Sequence, residues 1–234
     1  MLPKTLLLIP LALGLSGCVV TTEIGPTRRD AVNIERDSSE FLQVNLKMGA
    51  GNLTIDPGAK QFLEGALVYN VDSWKPIVRY STAAGHCNIS VDQPEGRHKL
   101  GGPGRYEWNL RMPNDIPTDL TVHFGAGEAR LNVGSLFLRS VDVQMGVGRL
   151  EMDLRGNPRR DYDVRIRGGV GEATVHLPHG VGVHAKAEGG IGSINAPGLR
   201  REGGRLLNDA YDHSKVTIHL DIQGGIGSIN LISD

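Results

Sequence analysis

The sequence predicts an all-β protein built from one repeated unit, a strand that changes its buried face at a Gly-X-Gly motif. The motif occurs six times, and apolar residues alternate with period 2 on both sides of each copy. No segment keeps a helical period. The alternation is out of step by one residue across each motif. Since glycine permits backbone conformations that other residues avoid, we interpret each copy as a bend in a strand.

The motif glycines stand in pairs separated by one apolar residue. They are Gly49 and Gly51, Gly125 and Gly127, Gly146 and Gly148, Gly169 and Gly171, Gly190 and Gly192, and Gly225 and Gly227. The first glycines of the last five copies are 21, 23, 21 and 35 residues apart. A period of 21–23 residues suits one coil of a β-solenoid, a stack of short strands. An antiparallel meander or sandwich is the alternative.

The N-terminus has the pattern of a targeting segment. Lys4 is followed by an apolar stretch, residues 6–15, that is too short to span a bilayer as a helix. It leads into Leu15-Ser16-Gly17-Cys18, which resembles the bacterial lipobox. That resemblance implies a lipoprotein signal peptide over residues 1–17 and a lipid on Cys18. An ordinary secretory signal with an incidental cysteine is the alternative.

Residues 18–39 follow as the lipidated cysteine and a polar tether, because they are hydrophilic and lack periodicity. Positions 19 and 20 are valine rather than aspartate. By resemblance to lipoprotein sorting in Gram-negative bacteria, this favours the outer membrane. We therefore expect a lipid-anchored protein of the cell envelope.

The remaining chain, residues 40–234, reads as one β domain. Residues 40–92 form its N-terminal portion, 93–117 a loop-rich joint containing glycine and proline, and 118–234 the regular array. The 35-residue spacing in the array includes an insertion over residues 197–214.

We also interpret residues 78–91 as a worn copy of the motif, with Ala83 in place of the first glycine and Gly85 as the second. This register predicts inward side chains at Val78, Tyr80, Cys87, Ile89 and Val91. Cys87 is then a core residue rather than a reactive thiol. The chain has 2 cysteines, and lipidation of Cys18 leaves Cys87 without an intrachain disulfide partner.

Candidate chemistry is sparse. Gly-X-Gly without a third glycine or a following helix does not match a dinucleotide site. His176, His179 and His184 surround a turn, and we interpret them as a chance surface cluster; a zinc site is the alternative, for which they are only weak candidates. We predict no cofactor and no enzymatic activity; a metal-binding protein or hydrolase ranks below a binding role.

Charge is balanced, with 25 Lys+Arg against 26 Asp+Glu, so a nucleic-acid partner is not expected. Solenoids offer long regular surfaces that suit protein partners. The outward residues predicted to form such a face are Arg130, Asn132, Arg149, Glu151, Arg165 and Arg167. Terminal coils could also pair edge to edge, which would make a homo-oligomer.

The sequence resembles the bacterial toastrack superfamily over roughly residues 41–234. The resemblance rests on residues 44–55, on Leu63-Glu64-Gly65 leading to Tyr69 and Trp74, on the repeated motif, and on the closing residues 224–230. That group includes the C-terminal domain of LiaF-like envelope-stress proteins and domains labelled as adhesins. The resemblance implies a β-solenoid-like stack and supplies no catalytic residues.

The function that follows from these points is a binding or scaffold module of the envelope, with a role in envelope stress. An adhesin or self-assembling surface protein is the alternative. LiaF-like members carry N-terminal membrane-spanning helices, whereas this chain has a lipobox. Their partnership with a membrane kinase is therefore not carried over.

Overall fold

The computed structural model describes residues 21–22, 24–94, 99–100 and 104–233. Its regular structure is β, with one 3₁₀ turn at Asp72–Trp74 and no α-helix within those ranges. None of these residues forms a helix with the length and apolar character needed to cross a membrane. The predicted all-β class is confirmed, and the signal peptide and Cys18 lie outside the described residues.

The strands in chain order are β1 Thr21–Thr22, β2 Arg28–Ile34, β3 Phe41–Pro57, β4 Leu63–Tyr69, β5 Ile77–Ala83, β6 His86–Asp92, β7 Lys99–Leu100, β8 Tyr106–Met112, β9 Thr118–Asn132, β10 Leu138–Asp153, β11 Tyr162–Leu177, β12 Gly182–Asn195, β13 Arg200–Glu202, β14 Arg205–Leu207 and β15 Thr217–Ser233. β1 and β7 pair with each other, and the other 13 form one open sheet.

Six long parallel strands form the body of the protein, in the spatial order β3, β9, β10, β11, β15, β12. Each contains one Gly-X-Gly motif, and the motifs are in register, so that Gly127 lies between Gly51 and Gly148. This parallel stack is the predicted solenoid-like arrangement rather than an antiparallel meander. The strands are longer than expected, at 14–17 residues, because each runs through its motif.

The buried face of each long strand changes at the motif. In β9, Val122 and Phe124 are buried before it, whereas Ala129 and Leu131 are buried after it. Both groups belong to one apolar cluster, so a single strand packs around a shared core. The second glycine of every motif has a φ between +127° and +145°, a conformation that side chains with a Cβ rarely adopt.

The order of strands departs from the order of the chain at one end. β15, the last long strand, lies between β11 and β12 and pairs in parallel with both. β12 is therefore the terminal long strand. The insertion that precedes β15 forms the β13–β14 hairpin, and β14 pairs antiparallel with the beginning of β12 at His184 and Ala185.

Asn208 attaches this hairpin to the turn before β12. Its buried amide accepts a hydrogen bond from the Val183 backbone N–H and donates to the carbonyls of Pro178 and Val181. The insertion over residues 197–214 thus has a structural role at the end of the stack.

At the opposite end, two shorter strands share the place of one long strand. β6 pairs in parallel with the first half of β3, and β8 pairs in parallel with its second half. Between them, the side-chain carbonyl of Gln93 takes the place of a motif backbone carbonyl, and its Oε1 accepts hydrogen bonds from the backbone N–H groups of Gly49 and Ala50 at 2.7 and 3.2 Å. The loop-rich joint therefore contains a strand of the stack, β8.

Two sequence predictions are corrected here. The polar tether through residue 39 is wrong for residues 28–34, which form β2 and pair with β4; Val32 and Ile34 are buried. These two apolar side chains are too few to reveal a strand by alternation alone.

The prediction of a worn motif at Ala83 and Gly85 is also wrong. β5 and β6 form an antiparallel hairpin whose turn contains Ala84 and Gly85, both with positive φ. Val78 and Tyr80 are exposed on β5, whereas the following residues Cys87, Ile89 and Val91 are buried as predicted. A turn and a bend both shift the alternation by one residue, so the sequence pattern does not distinguish them.

Candidate functional site

The central residues of the six motifs form a row on the outside of the stack, which we call the apolar ladder. In spatial order they are Ala50, Ala126, Val147, Val170, Ile226 and Ile191, each paired in register with the next. The last four side chains are 44–71% exposed, and Ile191 is the most exposed. Large apolar side chains aligned in one exposed row are typical of a binding surface.

The two motif glycines that flank each ladder residue explain why the ladder has a fixed position. A Cβ added to Gly148 would lie 1.9 Å from the carbonyl oxygen of Gly127, and one added to Gly127 would lie 2.0 Å from that of Gly51. Only glycine allows the coils to approach this closely. The ladder therefore projects from a column of backbone in direct contact, which leaves it little freedom to rearrange.

A cavity of about 290 Å³, lined by apolar side chains, glycine backbone and a few polar side chains, lies beside the large end of the ladder. It arises because the residue before the motif is glycine in three adjacent strands, at Gly168, Gly224 and Gly189. The corresponding residues of the other three strands are buried Met48, Phe124 and Met145. Val170, Ile226 and Ile191 also line the cavity, so it opens at the ladder.

A row of polar side chains runs parallel to the ladder two residues further along each strand, and it is charged in the three central strands β9, β10 and β11. Arg149 lies between Glu128 and Glu172, with nitrogen–oxygen distances of 3.4 and 3.6 Å. These side chains are substantially exposed, so each pair contributes no more than about 1 kcal/mol to stability. Their effect is to give the apolar ladder a polar rim.

The outward residues predicted from the sequence do not form one face. All six are exposed, but Arg165 and Arg167 precede their motif whereas Arg130, Asn132, Arg149 and Glu151 follow theirs. Because the strand changes its buried face at the bend, the two sets lie on different sides of the stack. The sequence contained a signal for the ladder, since the central motif residue is always apolar and has the parity of the exposed positions that follow the motif.

The structure does not bring His176, His179 and His184 together as metal ligands. His184 lies instead beside His219 and Tyr211, with ring centroids 5.7 and 5.8 Å away. Burial lowers the pKa of His184, and the nearby Arg205 and His219 lower it further. Within the described ranges, no group of three or more His, Cys, Asp or Glu side chains could hold a metal ion.

Cys87 lies in β6, opposite Leu42 of β3, and is fully buried. Burial raises the pKa of its thiol to about 11, with a smaller contribution from Asp37. Since the thiolate is the reactive form, the folded protein keeps this cysteine unreactive near neutral pH.

Comparison with known proteins shows what the whole chain is similar to. The family model described as the N-terminal domain of toast_rack, DUF2154, matches residues 23–176. A structure described as a "putative cell adhesion protein" from Clostridium sporogenes is 33% identical, with a TM-score of 0.86, and the match covers 89% of this chain and all (100%) of that one. No curated protein matches the chain.

Two further structures match with little similarity. One is described as a "putative adhesin" from Parabacteroides distasonis, with 9% identity, a TM-score of 0.29, and coverage of 89% of this chain and 98% of that chain. The other, from Bacteroides fragilis, is likewise described as an adhesin, with 9% identity, a TM-score of 0.22, and coverage of 88% and 97%.

Proposed function

We propose a function for this chain from one premise, that it belongs to the toast_rack family. The protein is a non-enzymatic binding module of the bacterial cell envelope, anchored by a lipid on Cys18, and it binds a partner protein through the apolar ladder. The observation that carries this proposal is the ladder itself, in which Val147, Val170, Ile226 and Ile191 are exposed in register.

The ladder and its cavity have the properties of an interface centre. Covering a half-exposed valine or isoleucine side chain contributes about 1 kcal/mol, so four such side chains supply several kcal/mol. The scaffold is already ordered, which reduces the entropy that binding must offset. The cavity beside Ile191 offers room for an apolar side chain of the partner, and buried anchors of this kind contribute most to protein interfaces.

A non-enzymatic role is supported by the lining of this site. The polar side chains around the cavity are Glu172, Ser193, Arg201, Gln223 and Ser228, and none of them is a histidine or cysteine. Ser193 and Ser228 are possible nucleophiles, but among the described residues neither hydroxyl forms a hydrogen bond with Glu172, whose Oε1 accepts one from Asn230 instead. A nucleophile paired with a general base is therefore missing from this lining.

The path of the chain indicates how far a lipid anchor would lie from the large end of the ladder. The described chain reaches β2 through residues 24–27, and β2 lies at the opposite end of the sheet from β12. Strands about 4.8 Å apart place these two ends roughly 40 Å from each other. Six residues from Cys18 to Ile24 span at most about 20 Å. A lipid on Cys18 would therefore be attached near the β2 end of the sheet, whereas Ile226 and Ile191 lie toward the other end.

A role in envelope stress is a finer form of the same proposal, supported by the resemblance of residues 41–234 to domains of envelope-stress proteins. Adhesion is a second candidate, favoured by the description of the 33% identical structure as a cell adhesion protein. Both functions use a binding surface, and they differ in whether the partner is in the same envelope or on another surface.

Photo-crosslinking in intact cells tests the proposal. A photoreactive residue at Val170 or Ile226 should capture a defined partner, whereas one at Asp163, exposed on the other half of β11, should not. Adding Val147→Asp should abolish capture without changing the melting temperature. Equal capture from Asp163, or no capture from the ladder positions, would contradict the proposed role.

A further inference from the structure

The outer edge of β12 is open over most of its length. β14 covers it at His184 and Ala185, and no other described strand pairs on that side. Residues 188–193 are exposed, including the backbone of both motif glycines. Such an edge presents hydrogen-bonding groups of the backbone to any extended chain that fits it.

The first and the second motif glycines form two columns across the six long strands. The direction of their carbonyl groups determines which segment fits the open edge. A Cβ on Gly192 would lie 1.7 Å from the Gly227 carbonyl oxygen, and a Cβ on Gly190 would lie 2.5 Å from that of Gly225. The same relation holds at each step from β9 to β12, with the carbonyl always on the β3 side of the pair. By this repeat, the carbonyl groups of Gly190 and Gly192 point toward the open edge.

We propose that the open edge of β12 binds an extended segment of a partner protein that carries Gly-X-Gly with an apolar central residue, and that the segment adds in parallel as a seventh coil. The inference rests on the proposed binding role and specifies the partner. In this register, any residue other than glycine opposite Gly190 or Gly192 would place a Cβ about 2 Å from a carbonyl oxygen, closer than real contacts allow. An apolar central residue would extend the ladder beyond Ile191.

β15 shows what such a segment looks like. Its residues 224–230 have the same seven-residue sequence as residues 189–195 of β12. The two segments pair in parallel and in register, and the Asn195 side chain donates a hydrogen bond to Asn230 Oδ1 at 2.9 Å. The edge of β15 that faces β12 therefore already binds this sequence, with the Gly225 and Gly227 carbonyls pointing toward Gly190 and Gly192. Since β12 has the same seven residues as β15, its outer edge offers that geometry to a further copy.

A second copy of the whole chain fits this edge less well. The motif strand that remains open in each copy is β12 itself, and two identical edges related by a two-fold axis would meet antiparallel. Antiparallel pairing would not reproduce the parallel register on which the glycine columns depend. A partner with a free Gly-X-Gly segment is therefore the occupant that the geometry favours.

A synthetic peptide tests the inference. A fluorescent peptide with the sequence of residues 222–232 should bind the full-length protein in detergent saturably, as measured by fluorescence polarisation. The peptide with Gly225→Ala and Gly227→Ala should bind at least tenfold more weakly. The peptide with Gln223→Ala is the matched control, because Gln223 is exposed in β15, and it should bind as the parent does.

Ile191→Asp in the protein should weaken peptide binding, whereas Asp163→Ala, at an exposed position of β11 outside the ladder, should not. Hydrogen exchange should show new protection at residues 188–195. The inference is overturned if the peptide does not bind, if the double-alanine peptide binds equally well, or if the peptide displaces β15 instead of adding beside β12. It is also overturned if the only effect of Ile191→Asp is on self-association of the protein. If crosslinking from Val170 succeeds while the peptide fails, the inference fails and the proposed binding role stands.

Discussion

Gly148→Ala adds one methyl group at the centre of the stack, where the structure leaves no room for it. Gly148 has a φ of +142°, and the new Cβ would lie 1.9 Å from the Gly127 carbonyl oxygen and 2.9 Å from its carbon. The backbone conformation alone costs on the order of 1–3 kcal/mol for a residue with a Cβ. Separating β9 from β10 would weaken neighbouring hydrogen bonds, each contributing about 1 kcal/mol.

We therefore expect the free energy of unfolding to fall by about 3–5 kcal/mol, which is in the range reserved for severe substitutions. Each kcal/mol lowers the melting temperature of a domain of this size by about 2–4 °C, so the fall should be roughly 10 °C or more. Circular dichroism during heating and urea denaturation would measure both quantities.

Gly168→Ala is the matched control, three residues before the second motif glycine of the next coil. Its φ lies outside the left-handed region, and the nearest atom to the new Cβ is Met145 Cγ at 3.4 Å, across the cavity. We expect a change within about 1 kcal/mol, in the stabilising direction, because alanine restricts the unfolded chain. The reasoning is refuted if Gly148→Ala melts like the parent protein, or if both variants lose the same stability.

Three further predictions concern other parts of the chain. Asn208→Ala leaves three buried backbone groups without their partner and should cost about 2–4 kcal/mol in urea denaturation, whereas Asp209→Ala, exposed beside it, should cost less than about 0.5 kcal/mol. The pKa of Cys87 is raised from 9.0 to about 11 by burial, so its contribution to stability is complete below pH 9 and is lost as the pH rises through 11. Urea midpoints at pH 8 and pH 10 should therefore fall more for the parent than for Cys87→Ala, and equal slopes would contradict this origin. Cys18→Ala should move the protein from the membrane fraction to the soluble fraction, and its retention in the membrane would remove the lipid anchor from the proposal.

The sequence predicted the positions of most core side chains because strand alternation and glycine bends are local properties. Leu120, Val122 and Leu131 are buried as the shifted alternation requires. The same local logic failed at Val78 and Tyr80, because a hairpin turn shifts the alternation as a bend does. For the histidine group the sequence could not decide, since closeness along the chain does not determine which way the side chains point.

The candidate site was only partly predictable. The apolar character of Val170 and Ile191 is visible in the sequence, but their alignment in one exposed row depends on the register between strands. The cavity depends on three glycines that are far apart in the chain and adjacent in space, Gly168, Gly224 and Gly189. In the sequence of a single strand, nothing indicates that its glycine leaves a cavity in the folded protein.

By itself, the sequence determined the fold class and the shape of each coil, because both follow from period-2 alternation and from the conformational freedom of glycine. Only the tertiary structure decided which coil is terminal. Residues 189–195 and 224–230 are identical, so no local preference distinguishes β12 from β15. The hairpin attached through Asn208 holds the turn before β12 at the end of the stack, and β15 pairs between β11 and β12. The open edge on which we base the partner proposal exists because of that order.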